Sequence, residues 1–225
     1  MCGRFDQHHP TSYYAERLGM PTDRHYGDLA ARYNVAPSEA PLVARWSEYG
    51  DGPELVTLCW GLIPHWSRDP GKGPKPINAR AESVNTKPMF RDSFRRHRCL
   101  VPADGFFEWR KEGAVKQPYY FRFRNGEPMF FAGLWDRWSG DGPPRDTFTI
   151  IVTEPNELAA QYHDRMPAVL PVGWHRKWLQ PDTPNLAALH QILLKPYPAS
   201  EMEVVRVTRA VNDPKNKGRE TIQPE

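Results

Sequence analysis

Apolar residues in this chain fall in short runs rather than long stripes. Residues 119–124 (YYFRFR), 129–132 (MFFA) and 147–153 (TFTIIVT) are apolar or alternating over strand lengths and predict β-strands in the middle of the chain. Residues 55–60, 99–101 and 203–207 are further strand candidates. Asn125-Gly126 lies between the first two runs; both residues tolerate positive φ, which predicts a hairpin joining them. Pro128 removes a ladder donor just past that turn and predicts an edge there. Helical periodicity is rarer. Thr183-Pro184 reads as an N-cap and first helical position, and Leu186, Leu189 and Leu193 then recur at helical spacing, so 185–194 is predicted helical. Pro155 opens a second predicted helix over 156–162. A weaker third covers 89–98, with Arg91, Arg95, Arg96 and Arg98 read as a solvated face. The sum is an α+β, strand-rich fold with short helices around a twisted sheet or barrel.

At 225 residues the chain is long enough to bury a full core, and a single domain over 1–225 is expected. Hydrophobic residues at 39% and charged residues at 25% exclude a disordered chain. The 24 prolines argue for many turns and against a bundle of long helices, while the 8 tryptophans fit a bulky core or aromatic platforms for a ligand. The Pro- and Gly-rich stretches 68–76 and 139–145 read as surface loops. A net charge of +3 permits nucleic-acid binding without arguing for it. No apolar stretch reaches membrane-spanning length and no secretory signal is visible, so no membrane partner is expected and a cytoplasmic location is, nucleoid-associated in a bacterium. Cys2, Cys59 and Cys99 are expected as free thiols in a reducing compartment. There is no Cys-x-x-Cys pair, so a structural zinc site is not expected; neither is any other metal or cofactor, and the expected state is a monomer.

Several residues could carry chemistry. If Met1 is removed, Cys2 bears an α-amine and a thiol on one residue. Such groups titrate at about 7.7–8.0 and about 8.5, so both are partly deprotonated near neutral pH. The amine can attack an aldehyde to give an imine, and the thiol can close on the imine carbon to give a thiazolidine, a step favoured by being intramolecular. With Met1 in place the nitrogen is a peptide nitrogen and this route is closed. The plain alternative is that Cys2 is only the second residue of a start sequence. Within 98–109 an apolar strand turns at Asp104-Gly105 and delivers Glu108 among Phe106, Phe107 and Trp109, surroundings that raise a carboxyl pKa and suit proton transfer. Strand alternation alone, however, turns Phe107 and Trp109 inward and Glu108 outward. His163, beside Asp164 and Arg165, offers an acid/base with a phosphate-binding cation, or only a surface hydrogen bond. The block 78–82 (NARAE) follows the Pro-rich loop.

Residues 1–5 (MCGRF), 33–37 (YNVAP), 60–64 (WGLIP), 77–82 (INARAE), 98–109, 131–135 (FAGLW) and 163–167 (HDRMP) occur in this order, joined by 207–211 (VTRAV) and 215–218 (KNKG). Together they resemble the SRAP family (SOS response-associated peptidase), proteins that crosslink to abasic sites in DNA. The resemblance runs from Cys2 to about Gln223. It implies one compact α+β domain with a curled, barrel-like sheet and a basic groove for single-stranded DNA containing abasic sites. It also implies that Cys2, freed of Met1, captures the ring-opened sugar aldehyde as a stable thiazolidine. On this chain Asn78 matches the residue that orients the cysteine and the sugar, Glu108 the one that moves protons, and His163 the one that assists ring opening. Arg4, Arg80 and Arg165 are implied phosphate contacts. Trp66 and Trp109 are candidate stacking surfaces, and Pro37 a wedge against a base. Two departures stand out: Phe106-Phe107, where other aromatics are frequent, and the 68–76 loop.

Rival classes remain open at this stage. Class II glutamine amidotransferases also begin Met-Cys-Gly, and an Asn-Gly-Glu occurs at 125–127. Cys2, His163 and Glu108 could act as a peptidase, on Met1 itself or on another protein. A non-catalytic DNA reader would need none of this chemistry.

Overall fold

The computed structural model describes residues 2–21, 29–50, 52–140 and 142–225. Met1 and position 141 of the 139–145 loop lie outside them. The elements in chain order are β1 (Phe5–Gln7), α1 (Thr11–Arg17), β2 (Arg32–Val35), β3 (Leu42–Trp46), β4 (Pro53–Thr57), β5 (Cys59–Trp60), β6 (Asn78–Arg80), α2 (Arg91–Arg96), β7 (Arg98–Ala103), β8 (Gly105–Glu112), β9 (Val115–Phe123), β10 (Met129–Trp138), β11 (Arg145–Thr153), β12 (Met166–Pro167), α3 (Val172–Leu179), α4 (Leu186–Leu193) and β13 (Met202–Arg206). They form a strand-rich α+β half-barrel of two sheets. One runs β13-β9-β8-β1-β2. The other runs β12-β11-β10-β7-β3-β4, with β5 and β6 parallel to β11.

Strand alternation explains the layers. On β10, Met129, Phe131 and Trp135 enter the core between the sheets, while Phe130, Ala132 and Leu134 enter a second core under the helices. On β11, Phe148, Ile150 and Val152 face the first core and Ile151 the second. Both faces of this sheet are covered, so its strands read as near-continuous apolar runs. Phe94 of α2, Trp178 and Leu179 of α3, and Leu189 and Leu193 of α4 supply the helical side. A smaller cluster of Phe107, Tyr120, Val207 and Val211 lies on the far face of the first sheet, where the C-terminal segment crosses it.

The chain changes sheet at four points, after β2, β7, β9 and β12, and the change after β9 overturns the predicted hairpin. β9 and β10 do not pair: β9 lies between β8 and β13, and β10 between β7 and β11. Asn125-Gly126 does form a tight turn, with Gly126 at φ +73° and the Glu127 N–H donating to Asn125 Oδ1 at 3.0 Å. That turn sends the chain across to the other sheet. The second crossing, at Asp104, leads from β7 into β8. A Cβ on Gly105 would stand 2.4 Å from the Phe121 carbonyl oxygen, so only glycine lets the strands meet there.

The helices also depart from expectation. The cap of α4 is Asn185 rather than Thr183, because its side-chain oxygen reaches the Ala188 N–H at 2.9 Å. The helix predicted over 156–162 is reduced to a 3-10 turn, Ala159–Gln161. Asn156 ties it down, accepting from the Ala159 N–H and donating to the Tyr197 carbonyl. Arg91, Arg95 and Arg96 are solvated, but Arg98 is 1% exposed and starts β7. α1 and α3 carried no cap signal that sequence reading could use.

Candidate functional site

Register places the first candidates. β1 and β8 pair antiparallel with Phe5 opposite Phe106 and Asp6 opposite Gly105, and the Phe107 N–H donates to the Arg4 carbonyl at 3.1 Å. Continued toward the N-terminus, this register carries Gly3 opposite Glu108 and Cys2 opposite Trp109. Cys2 is fully buried, and its thiol makes a long hydrogen bond, 3.9 Å, to the Arg4 carbonyl. Burial, then the negative charge of Glu108, push the thiol well above the usual cysteine range, so the group is held protonated.

Glu108 is 4% exposed. Alternation alone predicted an outward carboxylate, and the structure corrects this. Phe106 belongs to the inter-sheet core and Phe107 to the cluster under the C-terminal segment, so Glu108 shares the inner face with Phe106. Alternation held, but both faces are covered. Burial raises the Glu108 carboxyl to about 7, and the nearby charge of Asp164 pushes the same way. A carboxyl poised there can exchange a proton at neutral pH.

His163 reaches the same neighbourhood through its flanks. Tyr162 packs on Tyr119, at 4.5 Å between ring centroids, and on Phe121; Tyr119 is the cross-strand partner of Glu108. His163 Nδ1 lies 3.0 Å from the Arg165 N–H, which favours a neutral ring, and 2.8 Å from Asp164 Oδ1, which favours an imidazolium. Asp164 is 84% exposed, so water screens its pull. Burial dominates and lowers the His163 pKa. The neutral ring then accepts at Nδ1 and carries its proton on Nε2, a donor at neutral pH.

Asn78 opens β6, opposite Ile150 of β11. The neighbouring Ile77 carbonyl accepts from Trp60 Nε1 at 2.9 Å, and Trp60 packs on Phe5 of β1 at 5.2 Å. Four residues beyond Asn78, Glu82 pairs with Arg165. Asn78 is thereby tied to the β1 end on one side and to the His163 segment on the other. Both atoms of its amide are buried, and neither finds a hydrogen-bond partner among the described residues. Buried amides are normally satisfied, so this one is poised for a group outside the chain.

The predicted DNA contacts divide. Arg4 donates to Asn34 Oδ1 at 3.0 Å and to the Val211 carbonyl at 2.8 Å, which pins the C-terminal segment. It also lines a cleft of about 420 Å³ with Gly3, Trp109, Lys116 and Asn212, beside Cys2. Trp109 donates to Asn212 Oδ1 at 2.7 Å. Lys116 and Asn212 were not singled out as site residues from the sequence; the register of β9 against β8 brings Lys116 there. Arg80 is exposed at the end of β6, whereas Arg165 is engaged by Glu82. Pro37 belongs to a turn whose Ser38 N–H donates to the Trp60 carbonyl, two contacts from Asn78. Trp66 is 52% exposed in the 64–67 turn. Glu127, the last residue of the Asn-Gly-Glu at 125–127, is committed to Arg17 on α1 at 2.6 Å.

A buried cysteine three residues ahead of β1, a buried carboxyl on β8 and a half-barrel crossed by its own C-terminal segment mark out one class of protein. The chain belongs to the SOS response associated peptidase (SRAP) family, whose model matches residues 1–214. Among its relatives, the abasic site processing protein YoaM of Bacillus subtilis is 38% identical over 100% of this chain and 99% of its own length. The abasic site processing protein YedK of Escherichia coli is 33% identical over 100% of both. A crystal structure of a protein from Bacteroides thetaiotaomicron superposes with a TM-score of 0.87 at 30% identity, covering 100% of each chain. No helix among the described residues is long and apolar enough to cross a membrane.

Proposed function

We propose that this chain processes abasic sites in single-stranded DNA by capturing them covalently on Cys2. With Met1 removed, the Cys2 amine adds to the aldehyde of the ring-opened sugar and water leaves, giving an imine. The thiol then adds across the C=N bond, its proton passing to nitrogen, and a thiazolidine closes. Glu108 accepts and returns protons in both steps. Neutral His163 donates from Nε2 as the sugar ring opens. Asn78 holds the sugar through its unpartnered amide. Ring closure matters because an open imine allows β-elimination and strand cleavage.

The observation that carries this reading is a fully buried Cys2 thiol that feels the charge of Glu108, a buried carboxyl poised at about 7. Family membership and the names of the relatives support it. Phosphate contacts fall to Arg4, Arg80 and Arg165, and stacking or wedging contacts to Trp66, Trp109 and Pro37. Release of Arg165 from Glu82 accompanies its contact.

The test mixes purified protein with a single-stranded oligonucleotide carrying one abasic site, followed by a denaturing gel and intact mass. The expected product is heat-stable, with the mass of the chain lacking Met1 plus the oligonucleotide minus water. Cys2→Ala abolishes it and keeps most of the non-covalent affinity. A covalent product that survives in Cys2→Ala overturns the reading. Protein made without methionine aminopeptidase activity separates self-cleavage from processing by another enzyme, since retained Met1 argues against the former.

A further inference from the structure

The far end of β1 carries a cluster that the proposed reaction does not use. His8 and His9 follow β1 directly and meet Asp104 at the β7–β8 crossing. His9 Nδ1 lies 2.7 Å from Asp104 Oδ1. His8 Nδ1 lies 3.2 Å from Asp104 Oδ2 and 2.9 Å from each oxygen of Asp6. One donor atom from each of His8, His9 and Asp104 falls within 4.8 Å of the others. The Asp6 side chain is fully buried and that of Asp104 is 4% exposed. Two buried carboxylates therefore share one imidazole nitrogen, and among the described residues no Lys or Arg bonds to either.

The surroundings fix these groups in the way metal sites fix their ligands. Asp104 Oδ2 accepts from the His8 N–H at 2.6 Å, the His9 N–H at 3.2 Å and the Tyr14 hydroxyl at 2.6 Å. Asp6 Oδ2 accepts from the Tyr120 hydroxyl at 2.8 Å. Oδ1 of Asp104 is thus left to His9, and Oδ1 of Asp6 to His8. The imidazoles are held in a column of rings: His8 stacks on Tyr33 at 4.6 Å and on His9 at 4.4 Å, and His9 on Tyr13 at 4.1 Å. Ligands with their outer hydrogen bonds already made are preorganised for an ion.

We propose that His8, His9 and Asp104 bind a divalent transition-metal ion of the zinc type, with Asp6 as the second negative charge beside it. Imidazole nitrogen and carboxylate oxygen are the donors such ions take. Each imidazole binds through Nδ1 and keeps its proton on Nε2. A tetrahedral ion with bonds of roughly 2.0–2.1 Å sets neighbouring donors about 3.3 Å apart, close to the 3.2 Å between His8 Nδ1 and Asp104 Oδ2, while the 2.7 Å contact of His9 Nδ1 with Asp104 Oδ1 opens to admit it. The ion ties β1, a strand of three residues that leads back to Cys2, to the crossing that leads on to Glu108. This site does not depend on the proposed crosslinking reaction. The competing explanation is that two protonated histidines neutralise the carboxylates unaided.

The test titrates the full chain, dialysed against chelator and then buffer, with zinc chloride by calorimetry and with cobalt chloride by absorption. The expected result is one equivalent bound and cobalt ligand-field bands without a thiolate charge-transfer band. A rise in thermal midpoint with zinc is also expected. His9→Gln and His8→Gln each weaken binding at least tenfold and lose the thermal shift; both leave the backbone and tyrosine bonds to Asp104 intact. Cys59→Ser binds as the parent does. Absence of stoichiometric binding, binding indifferent to both histidines, or a thiolate band that disappears in Cys59→Ser overturns the proposal.

Discussion

Arg98 and Asn78 each begin a strand and each bury a polar side chain, yet the fold treats them oppositely. Arg98 Nε donates to the Trp178 carbonyl at 2.7 Å, and Nη1 to the carbonyls of Phe94 at 2.7 Å and Arg95 at 2.5 Å. Nη2 donates to the carbonyls of Gln180 and Pro181. These lie in and just beyond the last turns of α2 and α3, where helices leave carbonyls unpaired and the dipole favours a cation. Burial lowers the Arg98 pKa to about 10, still far enough up to keep it charged at neutral pH. Asn78, a far easier group to satisfy, has neither amide atom paired among the described residues. A chain that can partner a whole guanidinium can partner an amide. The contrast separates polar groups that serve the fold from those the fold leaves for a ligand.

Breaking the satisfied member gives the largest effect. Arg98→Met leaves several buried carbonyls without a donor and is expected to cost about 3–5 kcal/mol of stability. Urea unfolding measures it. A loss under about 1 kcal/mol means that water replaces the guanidinium and that the socket is not structural.

Glu108→Gln comes next. General acid–base groups contribute roughly 10²–10⁴-fold, so the crosslinking rate is expected to fall about a hundredfold. The parent rate carries a step as pH drops through about 7, where the carboxyl takes up its proton, on top of the decline set by protonation of the Cys2 amine, and the variant keeps only the amine's decline. A stability effect of fixed sign accompanies this. A carboxyl raised in the folded state stabilises the fold below its unfolded pKa, and that contribution is lost as pH rises through about 7. Glu108→Gln is therefore more stable than the parent at pH 8, by on the order of 3–4 kcal/mol. The gap closes toward pH 4. A parent and variant with equal pH profiles would remove Glu108 from the proton transfers.

Parts of this were legible in the sequence and parts were not. The strands of the second sheet announced themselves because both their faces are apolar, and Thr147 to Thr153 falls wholly within β11. Their partners did not. Asn125-Gly126 specifies a tight turn, but whether the chain then pairs back or crosses to another sheet is decided by what covers β9, namely β8 and β13. The same non-local covering hid the burial of Glu108: Val207 and Val211, roughly a hundred positions away in sequence, cover the Phe107 face, and Glu108 turns inward with Phe106. Arg98 read as one of four solvated arginines because its acceptors are helix-end carbonyls, which leave no pattern in side chains. The His8–His9–Asp104 cluster was invisible for a related reason: His9 and Asp104 are 95 positions apart and come together through non-local contacts such as the β1–β8 pairing.

The smallest expected effect is the sharpest test of the opening contrast. Asn78→Ala removes a buried amide that makes no hydrogen bond within the described chain, so it leaves no orphaned partner behind. Its cost is confined to lost side-chain contacts, offset by relief of two unpaired polar atoms, and stability is expected to change by less than about 1 kcal/mol. Asn78→Leu, similar in volume and wholly apolar, is expected to hold or raise the thermal midpoint, the reverse of Arg98→Met. Crosslinking in either variant is expected to slow about tenfold, the equivalent of one lost hydrogen bond to the sugar at about 1.4 kcal/mol. If Asn78→Leu instead unfolds the protein as Arg98→Met does, the amide belongs to the fold and the contrast between the two residues collapses. If stability holds and the rate is also unchanged, Asn78 faces no ligand, and the positioning of the sugar falls to Glu108 and His163 alone.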